Sequence, residues 1–263
     1  MGWGDEIMVT GQAREMQRRD PRRVQVLYDQ PRWFDAYLNN PRLARHDEQG
    51  DFQILRPREG GLRPYMVGKS ANRWTWRAYR PLRGEIWLTD DERAFGDRYA
   101  GRVIVEPHIK AGASPNKHWG WVRWNKLAWL LRGRGVQVTQ MGGPGTPVLE
   151  GVDFIETASL RQAAAVMSRA RAAVLPEGGL HHTAAVFEVP AVVIYGGFIS
   201  PEVTGYSGQS SFFVKTDEYP LGCGWRRPCE HCMKAMAMIT PEAVSDALIA
   251  LLQPAPQPSA VAA

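Results

Sequence analysis

The sequence predicts an α/β fold built on parallel sheet, and three observations carry that expectation. Between about Val103 and Leu252, short apolar runs alternate with helical stretches, as they do where strands are buried on both faces and helices cross over between them. Helix-start signals fall in the gaps between those runs. Of the 263 residues, 44% are hydrophobic, enough for a sizeable packed core.

Taken in chain order, a helix is expected over Asp5–Arg19 and then a strand in VQVLY, residues 24–28. Beyond Arg42 the chain is rich in Arg, Pro and aromatic residues and periodicity is weak. One further element stands out there: Thr89-Asp90-Asp91-Glu92 is a capping box that opens a helix leading into the second half. The buried strands read RVIVEPH (102–108), VQVTQMG (136–142), VDFIE (152–156), AAVLPE (172–177) and PAVVIYGG (190–197). Trp121, Trp124, Leu127 and Leu131 recur at helical spacing between the first two, and Gly133 and Gly135 end that helix. Ser159 and Gln162 mark another N-terminus, a helix begins near Gly179, and Thr240-Pro241 opens the last one. The final residues, PAPQPSAVAA (254–263), read as a disordered tail.

Lys and Arg number 32 against 27 Asp and Glu, a net charge of +5. The excess is local: residues 14–83 hold sixteen basic and eight acidic side chains, and residues 62–83 six basic and none acidic. Such a field favours anionic partners, whether phosphates, acidic glycans, a membrane surface or nucleic acid. No apolar run reaches the roughly 20 residues of a membrane span. MGWGDE shows no signal-peptide pattern, and Glu6 breaks the myristoylation pattern. Three cysteines are too few for a disulfide framework, so a cytoplasmic location is expected.

The chemistry concentrates in residues 175–206, LPEGGLHHTAAVFEVPAVVIYGGFISPEVTGY. This is a strand, a glycine-rich turn, a short helix and another buried strand. Gly178 and Gly179 let backbone approach a ligand, and the helix behind them presents free N–H groups and partial positive charge to a phosphate. Glu177 ends the strand, and His181 and His182 sit in the first helical turn. The carboxyl ends of parallel strands are where open α/β sheets bind ligands. A glycine pair after a strand also serves as a plain tight turn, and a first-turn histidine as a solvated cap.

This stretch resembles glycosyltransferase family 9, the bacterial heptosyltransferases and their relatives. The family's Asp-Thr-Gly-Leu-x-His turn stands here as Glu177-Gly178-Gly179-Leu180-His181-His182, followed by TAAVFEVP and Tyr195-Gly196. In that register His182 matches the family histidine facing the donor diphosphate, with Glu177 and Gly178 in place of aspartate and threonine. NKHWGWVRWNKLAWLL looks like the family's Lys-x-Trp segment, which makes Lys117 the implied cation for the donor phosphates. MGGPGTP, with Gly143 and Thr146, resembles the nucleotide-contacting loop, and TASL the loop whose backbone at Ala158 lines the base. GWGDEI resembles the family's opening Leu-Gly-Asp segment, so that Asp5 inherits the role of general base toward the acceptor hydroxyl.

The resemblance implies two Rossmann-like parallel-sheet domains facing across a cleft, a GT-B-like arrangement with a reduced N-terminal domain. The expected division is an acceptor-side domain at 1–101 and a nucleotide-sugar-binding domain at 102–253. The match is good over the second half and confined to the opening of the first. Relatives have a strand ahead of the Gly-Asp turn, whereas here the pair stands at positions 4 and 5.

Two further clusters stand apart. CGWRRPCEHC groups Cys223, Cys229, His231 and Cys232; Cys-x-x-Cys with a histidine suits zinc, but a second Cys-x-x-Cys is missing and relatives also carry a cysteine-containing loop here, so no metal is the expectation. LRPYMVGKSANRWTWRAYRPLR, with Arg73, Trp74, Trp76 and Arg77, offers cations and aromatic faces to an acceptor; it equally fits a hairpin with one apolar face and one solvated basic face.

The function expected from these readings is transfer of a sugar from a nucleotide-diphosphate donor to an acceptor hydroxyl, inverting and metal-independent. No Asp-x-Asp is present to hold a divalent ion, and no cofactor beyond the donor is required. The acceptor would be a lipopolysaccharide-type glycan or another anionic polymer, with peripheral membrane contact allowed. Alternatives are transfer to a hydroxylated base in DNA and a non-catalytic nucleotide-sugar-binding protein. A nicotinamide-dependent oxidoreductase ranks low, because neither GWGDEI nor GGPGTP completes Gly-x-Gly-x-x-Gly.

Overall fold

The computed structural model describes residues 2–58 and 60–253; the tail expected at 254–263 lies outside the described residues. The N-terminal half runs α1 (Trp3–Arg19), β1 (Val24–Val26), β2 (Leu43–Ala44), β3 (Gln53–Leu55), β4 (Met66–Lys69), β5 (Trp74–Trp76) and α2 (Asp90–Asp97). The second half runs β6 (Val103–Val105), α3 (Trp121–Gly133), β7 (Val138–Gly142), β8 (Asp153–Glu156), α4 (Leu160–Ser168), β9 (Ala172–Pro176) and α5 (Gly179–Val186). It ends with β10 (Ala191–Gly196), α6 (Pro201–Thr204), β11 (Gln209–Phe213), α7 (Glu230–Met238) and α8 (Pro241–Leu252).

The predicted capping residues do their work. Thr89 accepts from Glu92 N–H, Ser159 from Gln162 N–H, and Thr240 from Ala243 N–H with Pro241 in the first turn.

Six strands form a parallel sheet in the order β11-β10-β9-β6-β7-β8. The chain builds outward from β6 to β8, returns to the centre at β9 and builds outward the other way. This is a doubly wound sheet, and its strand order reverses between β6 and β9. Side chains alternate between faces as a strand requires. Val103, Val105 and Val174 pack with Trp124, Leu127 and Leu131 of α3 and Val244 and Leu248 of α8. Ile104, Ala173 and Leu175 face the other way, toward α4, α5 and the N-terminal half.

The first half is smaller: a three-stranded parallel sheet, β2-β1-β3, and an antiparallel hairpin, β4-β5. It is fastened to the second half at two helix pairs. α2 lies on α4, where a Cβ at Gly96 would stand 2.3 Å from the Ala165 carbonyl oxygen. Buried Arg161 of α4 pairs with Glu92 of α2 and donates to the carbonyls of Asp35 (2.8 Å) and Trp87 (2.6 Å).

α1 begins at Trp3, two residues ahead of the expected start, and is wedged between α5 and the segment at 82–86. Two glycines let it fit. A Cβ at Gly11 would lie 2.8 Å from the carbonyl oxygens of Leu82 and Arg83, and one at Gly4 would lie 2.2 Å from the ring of His182. Among the described residues no single helix is long and apolar enough to cross a membrane.

Candidate functional site

A parallel sheet delivers the carboxyl ends of all its strands to one edge, and every residue singled out in the second half follows such an end. Lys117 lies in the turn at 115–117 after β6, Gly143 and Thr146 follow β7, Ala158 follows β8, and Glu177, Gly178 and Gly179 follow β9. β6 and β9 flank the reversal of strand order, where doubly wound sheets leave a crevice for ligands. The edge therefore gathers Lys117 and Glu177 from chain positions sixty residues apart.

Lys117 and Glu177 form an ion pair, with side chains only 18% and 6% exposed. Burial on its own would raise the Glu177 carboxyl, but Lys117, His181 and a bond from Thr204 hold it below its ordinary range. Lys117 also stands 5.3 Å over the Phe198 ring. The cation is thus held in place by a buried counter-ion.

The two histidines differ. His181 Nδ1 accepts from Gly178 N–H (2.9 Å), and its Nε2 lies 3.0 Å from the Thr204 carbonyl, which fixes the tautomer with the proton on Nε2. His182 Nδ1 is 2.7 Å from the Tyr206 hydroxyl, and the rest of its ring lies against Gly4 of α1. Burial first, then the proximity of His181 and Lys117, push His182 well below its ordinary value, and burial likewise lowers His181. Both rings are neutral at pH 7.

The helix α5 starts against the start of α1: a Cβ at Gly179 would stand 3.1 Å from Trp3 Cβ and 3.8 Å from Gly4 N. Two helix N-termini, each with its partial positive charge, therefore meet at one place. A Cβ at Gly178 would meet nothing within 4 Å, so the turn faces open space.

Asp5 lies in the first turn of α1. Tyr65 OH donates to its Oδ1 at 2.5 Å, and Arg63 Nη2 pairs with its Oδ2 at 2.9 Å. The carboxylate lines a shallow recess with Glu6, Gln12, Tyr28, Arg58 and Arg63. Glu6, its neighbour, is buried beneath the hydroxyls of Tyr28 and Tyr37, and burial raises its carboxyl above the ordinary range.

The remaining candidates are tied down locally. Thr146 folds over Gly142 in a turn closed by Thr146 N–H to Gly143 O (3.2 Å). Ala158 N–H is bonded to Gln162 Oε1 (2.7 Å). In the hairpin, Trp76 is buried and donates to the Phe198 carbonyl (3.0 Å), while Arg73 donates to the Cys223 carbonyl (2.9 Å). Trp74 is flanked by the guanidinium groups of Arg63 and Arg226 at 5.1 and 4.5 Å. Arg77 is exposed and donates to the Pro64 carbonyl (2.7 Å). Cys223, Cys229, His231 and Cys232 stand together at the start of α7.

The stretches singled out in the sequence contain Arg63, Tyr65 and Tyr206, but not as partners of Asp5 and His182, which they reach only through tertiary packing. Sequence reasoning passed over Glu106 and His108 at the carboxyl end of β6, where His108 Nδ1 is 2.9 Å from Glu106 Oε1. Their signal was present, since they directly follow the first strand of a doubly wound sheet.

Comparison with known proteins gives a consistent picture. A family model described as glycosyltransferase family 9 (heptosyltransferase) matches residues 79–223, more than half of the chain. Lipopolysaccharide heptosyltransferase 1 of Pseudomonas aeruginosa is 29% identical over 134 residues, which is 48% of this chain and only 35% of that protein. A family 9 glycosyl transferase of Veillonella parvula superposes with a TM-score of 0.64 at 15% identity, covering 96% of this chain and 95% of its own. The iron-containing dodecameric glycosyltransferase TibC of enterotoxigenic E. coli gives 0.65 at 15% identity, covering 95% and 76%. These two likenesses establish the shared GT-B-like fold. By the family model that spans its sheet, the chain belongs to glycosyltransferase family 9.

Proposed function

We propose that the protein transfers a sugar from a nucleotide-diphosphate donor to an acceptor hydroxyl, with inversion at the anomeric carbon. One observation carries this reading: the start of α1, bearing Asp5, abuts the start of α5, beside which Lys117 is held. A proton acceptor and an anion-binding end thus lie side by side, as a single displacement requires.

In the proposed reaction Asp5 takes the acceptor hydroxyl proton while that oxygen attacks the anomeric carbon. The bond to the diphosphate breaks, and its electron pair leaves with the phosphate. Arg63 and Gly2 N–H both donate to Asp5 Oδ2 and Tyr65 OH donates to Oδ1, which leaves acceptor capacity on Oδ1 for a substrate hydroxyl. Charge growing on the diphosphate is met by Lys117 and the two helix ends, and needs no metal ion there. His182, being neutral, contributes a hydrogen bond rather than charge. Glu177 acts on the donor through Lys117, whose ammonium it positions. Gly178 and Gly179 shape the turn around the phosphates, and Gly143, Thr146 and Ala158 line the nucleoside side.

The acceptor reading is an anionic glycan of the lipopolysaccharide type, because the recess at Asp5 carries Arg58 and Arg63. DNA is the weaker alternative, since Arg73 and Trp76 of the basic hairpin are spent on contacts within the protein. Such an acceptor and the basic surface agree with work at the cytoplasmic face of a membrane.

The test uses a panel of nucleoside diphosphates in a thermal-shift assay, followed by turnover of the matching sugar donor. One nucleotide should raise the melting temperature selectively. Asp5→Asn should keep that shift while slowing transfer by roughly 10²–10⁴-fold. Unchanged turnover in Asp5→Asn refutes the base assignment. A nucleotide shift without any turnover in the native protein would favour a binding protein, and no shift at all would sink the donor site.

A further inference from the structure

The proposed reaction leaves one cluster of metal-ligating side chains unused. Cys229 caps α7, His231 and Cys232 lie in its first turn, and Cys223 comes from the preceding loop. Cys223 Sγ is 3.2 Å from Cys232 Sγ and 3.8 Å from Cys229 Sγ, and His231 Nδ1 is 3.8 Å from Cys232 Sγ. All four candidate ligand atoms lie within 4.8 Å of one another. Two sulfurs, each about 2.3 Å from one ion at the tetrahedral angle, stand about 3.8 Å apart. The spacing therefore suits a shared ion after a small opening of the Cys223–Cys232 pair.

The surroundings are arranged as those of a metal site are. Trp225 N–H donates to the Cys223 sulfur and Cys232 N–H to the Cys229 sulfur, so backbone amides orient two of the sulfurs. His231 Nε2 stands 3.5 Å from Thr216 Oγ1, on the far side of the ring from the nitrogen that faces the sulfurs. Gly197 makes room for that ring: a Cβ there would come within 2.9 Å of His231 Nδ1. Cys223 and Cys232 are buried, while Cys229 and His231 are half-buried and give an ion a way in.

We propose that Cys223, Cys229, His231 and Cys232 bind one transition-metal ion, zinc or iron, in a closed tetrahedral site of three thiolates and an imidazole. Soft sulfur donors select such ions over magnesium or calcium. Four protein ligands leave no open position, so the site is structural. What it holds is the loop at 223–229, a junction of three elements. Cys223 O accepts from Arg73, and Gly224 O from Trp74 N–H (3.0 Å), which docks the β4-β5 hairpin. Asn116 donates to the carbonyls of Trp225 and Arg227 (both 2.7 Å) and accepts from Cys229 N–H (3.1 Å). Asn116 is the neighbour of Lys117, so the ion would brace the turn that carries the proposed phosphate cation.

The test reads metal, not turnover, so it stands or falls apart from the transferase reading. The full chain, purified under reductant without chelator, should contain about one zinc or iron per molecule by elemental analysis, and the element found separates the two. After chelation, titration with cobalt(II) should produce thiolate charge-transfer and tetrahedral ligand-field bands that saturate at one equivalent. Cys229→Ser and His231→Ala should weaken or abolish those bands and lower the melting temperature of the metal-loaded protein. A chain that takes up neither native metal nor cobalt, with three thiols free to alkylate, overturns the proposal. So does a Cys223–Cys232 disulfide in the native protein, or full cobalt binding by both variants. Should a variant fail to fold, the cobalt spectrum of the native chain decides.

Discussion

Replacing Lys117 with methionine isolates the interaction on which the donor side rests. Methionine keeps the length of the stem and its contact with Phe198 but removes the charge, leaving the Glu177 carboxylate, 6% exposed, without its cation. Removing one member of a buried pair costs about 3–5 kcal/mol, because the other charge stays desolvated. At about 2–4 °C per kcal/mol for a chain of this size, the melting temperature should fall by roughly 6–20 °C. The sign of the pH dependence gives a second check. In the native protein the Glu177 carboxyl is held below its unfolded value, so its contribution is present at neutral pH and fades only as pH drops through that lowered pKa. Without Lys117, burial dominates and Glu177 titrates above its unfolded value. Protonation then relieves the variant, and the stability gap should narrow between pH 7.5 and pH 5. Urea unfolding of both proteins at several pH values measures the gap, and Lys117→Met/Glu177→Gln should recover most of it. A gap under about 1 kcal/mol at pH 7.5, or one that does not change with pH, would refute a buried, mutually dependent pair.

Two other perturbations follow from the same contacts. Gly4→Ala places a methyl within 2.2 Å of the His182 ring and should destabilise the fold by about 1–3 kcal/mol as overpacking does, with His182→Ala in the same chain restoring much of the loss; thermal melts of the single and double variants check it. The neutral imidazoles predict acid sensitivity. Both histidines titrate below their unfolded value in the folded state, so above about pH 6.5 they contribute no slope. Below it the unfolded chain gains protons first, and stability should fall by up to about 1.4 kcal/mol per pH unit for each ring. Urea titrations from pH 7.5 to pH 5 should show that slope reduced in His182→Asn, and an equal slope would count against the burial of that ring.

What was legible in the sequence had strong local causes. The six-stranded sheet was visible in five of its strands because a strand buried on both faces must be a continuous apolar run, as Ala172–Pro176 and Ala191–Gly196 are. β11 was not visible, since Gln209–Phe213 is a partly polar edge strand with no fully buried residue. Strands as short as Leu43–Ala44 carry no period at all. The helix at Glu230–Met238 has Cys229 at its N-cap, with no side-chain capping bond, and so gave no start signal. For the site, position relative to strand ends was readable while partnership was not. Lys117 could be proposed from its segment, but not that it would be spent on Glu177. Asp5 could be placed at a helix start, yet its partners lie 58 and 60 residues away in a stretch whose basic and aromatic residues looked like surface.

The same packing bears on how substrates reach the site. Met8, Tyr65 and Trp76 of the first half are buried in one cluster with Ile104, Met141 and Leu175 of the second-half sheet. An aromatic side chain buries about 150–250 Å² at about 25 cal/mol per Å², so re-exposing Tyr65 and Trp76 alone would cost on the order of 8–12 kcal/mol. That is comparable to the whole stability of a domain, about 5–15 kcal/mol. Wide separation of the two halves therefore competes with unfolding and is not an economical way to admit a donor. On the proposed reading the groups that meet substrate are smaller: the Lys117 ammonium, which keeps Glu177 and turns a remaining N–H toward a phosphate, and Arg63, which shares Asp5 with an acceptor. Access on that reading is therefore a matter of charged side chains gaining substrate partners at two abutting helix ends, not of the two halves parting.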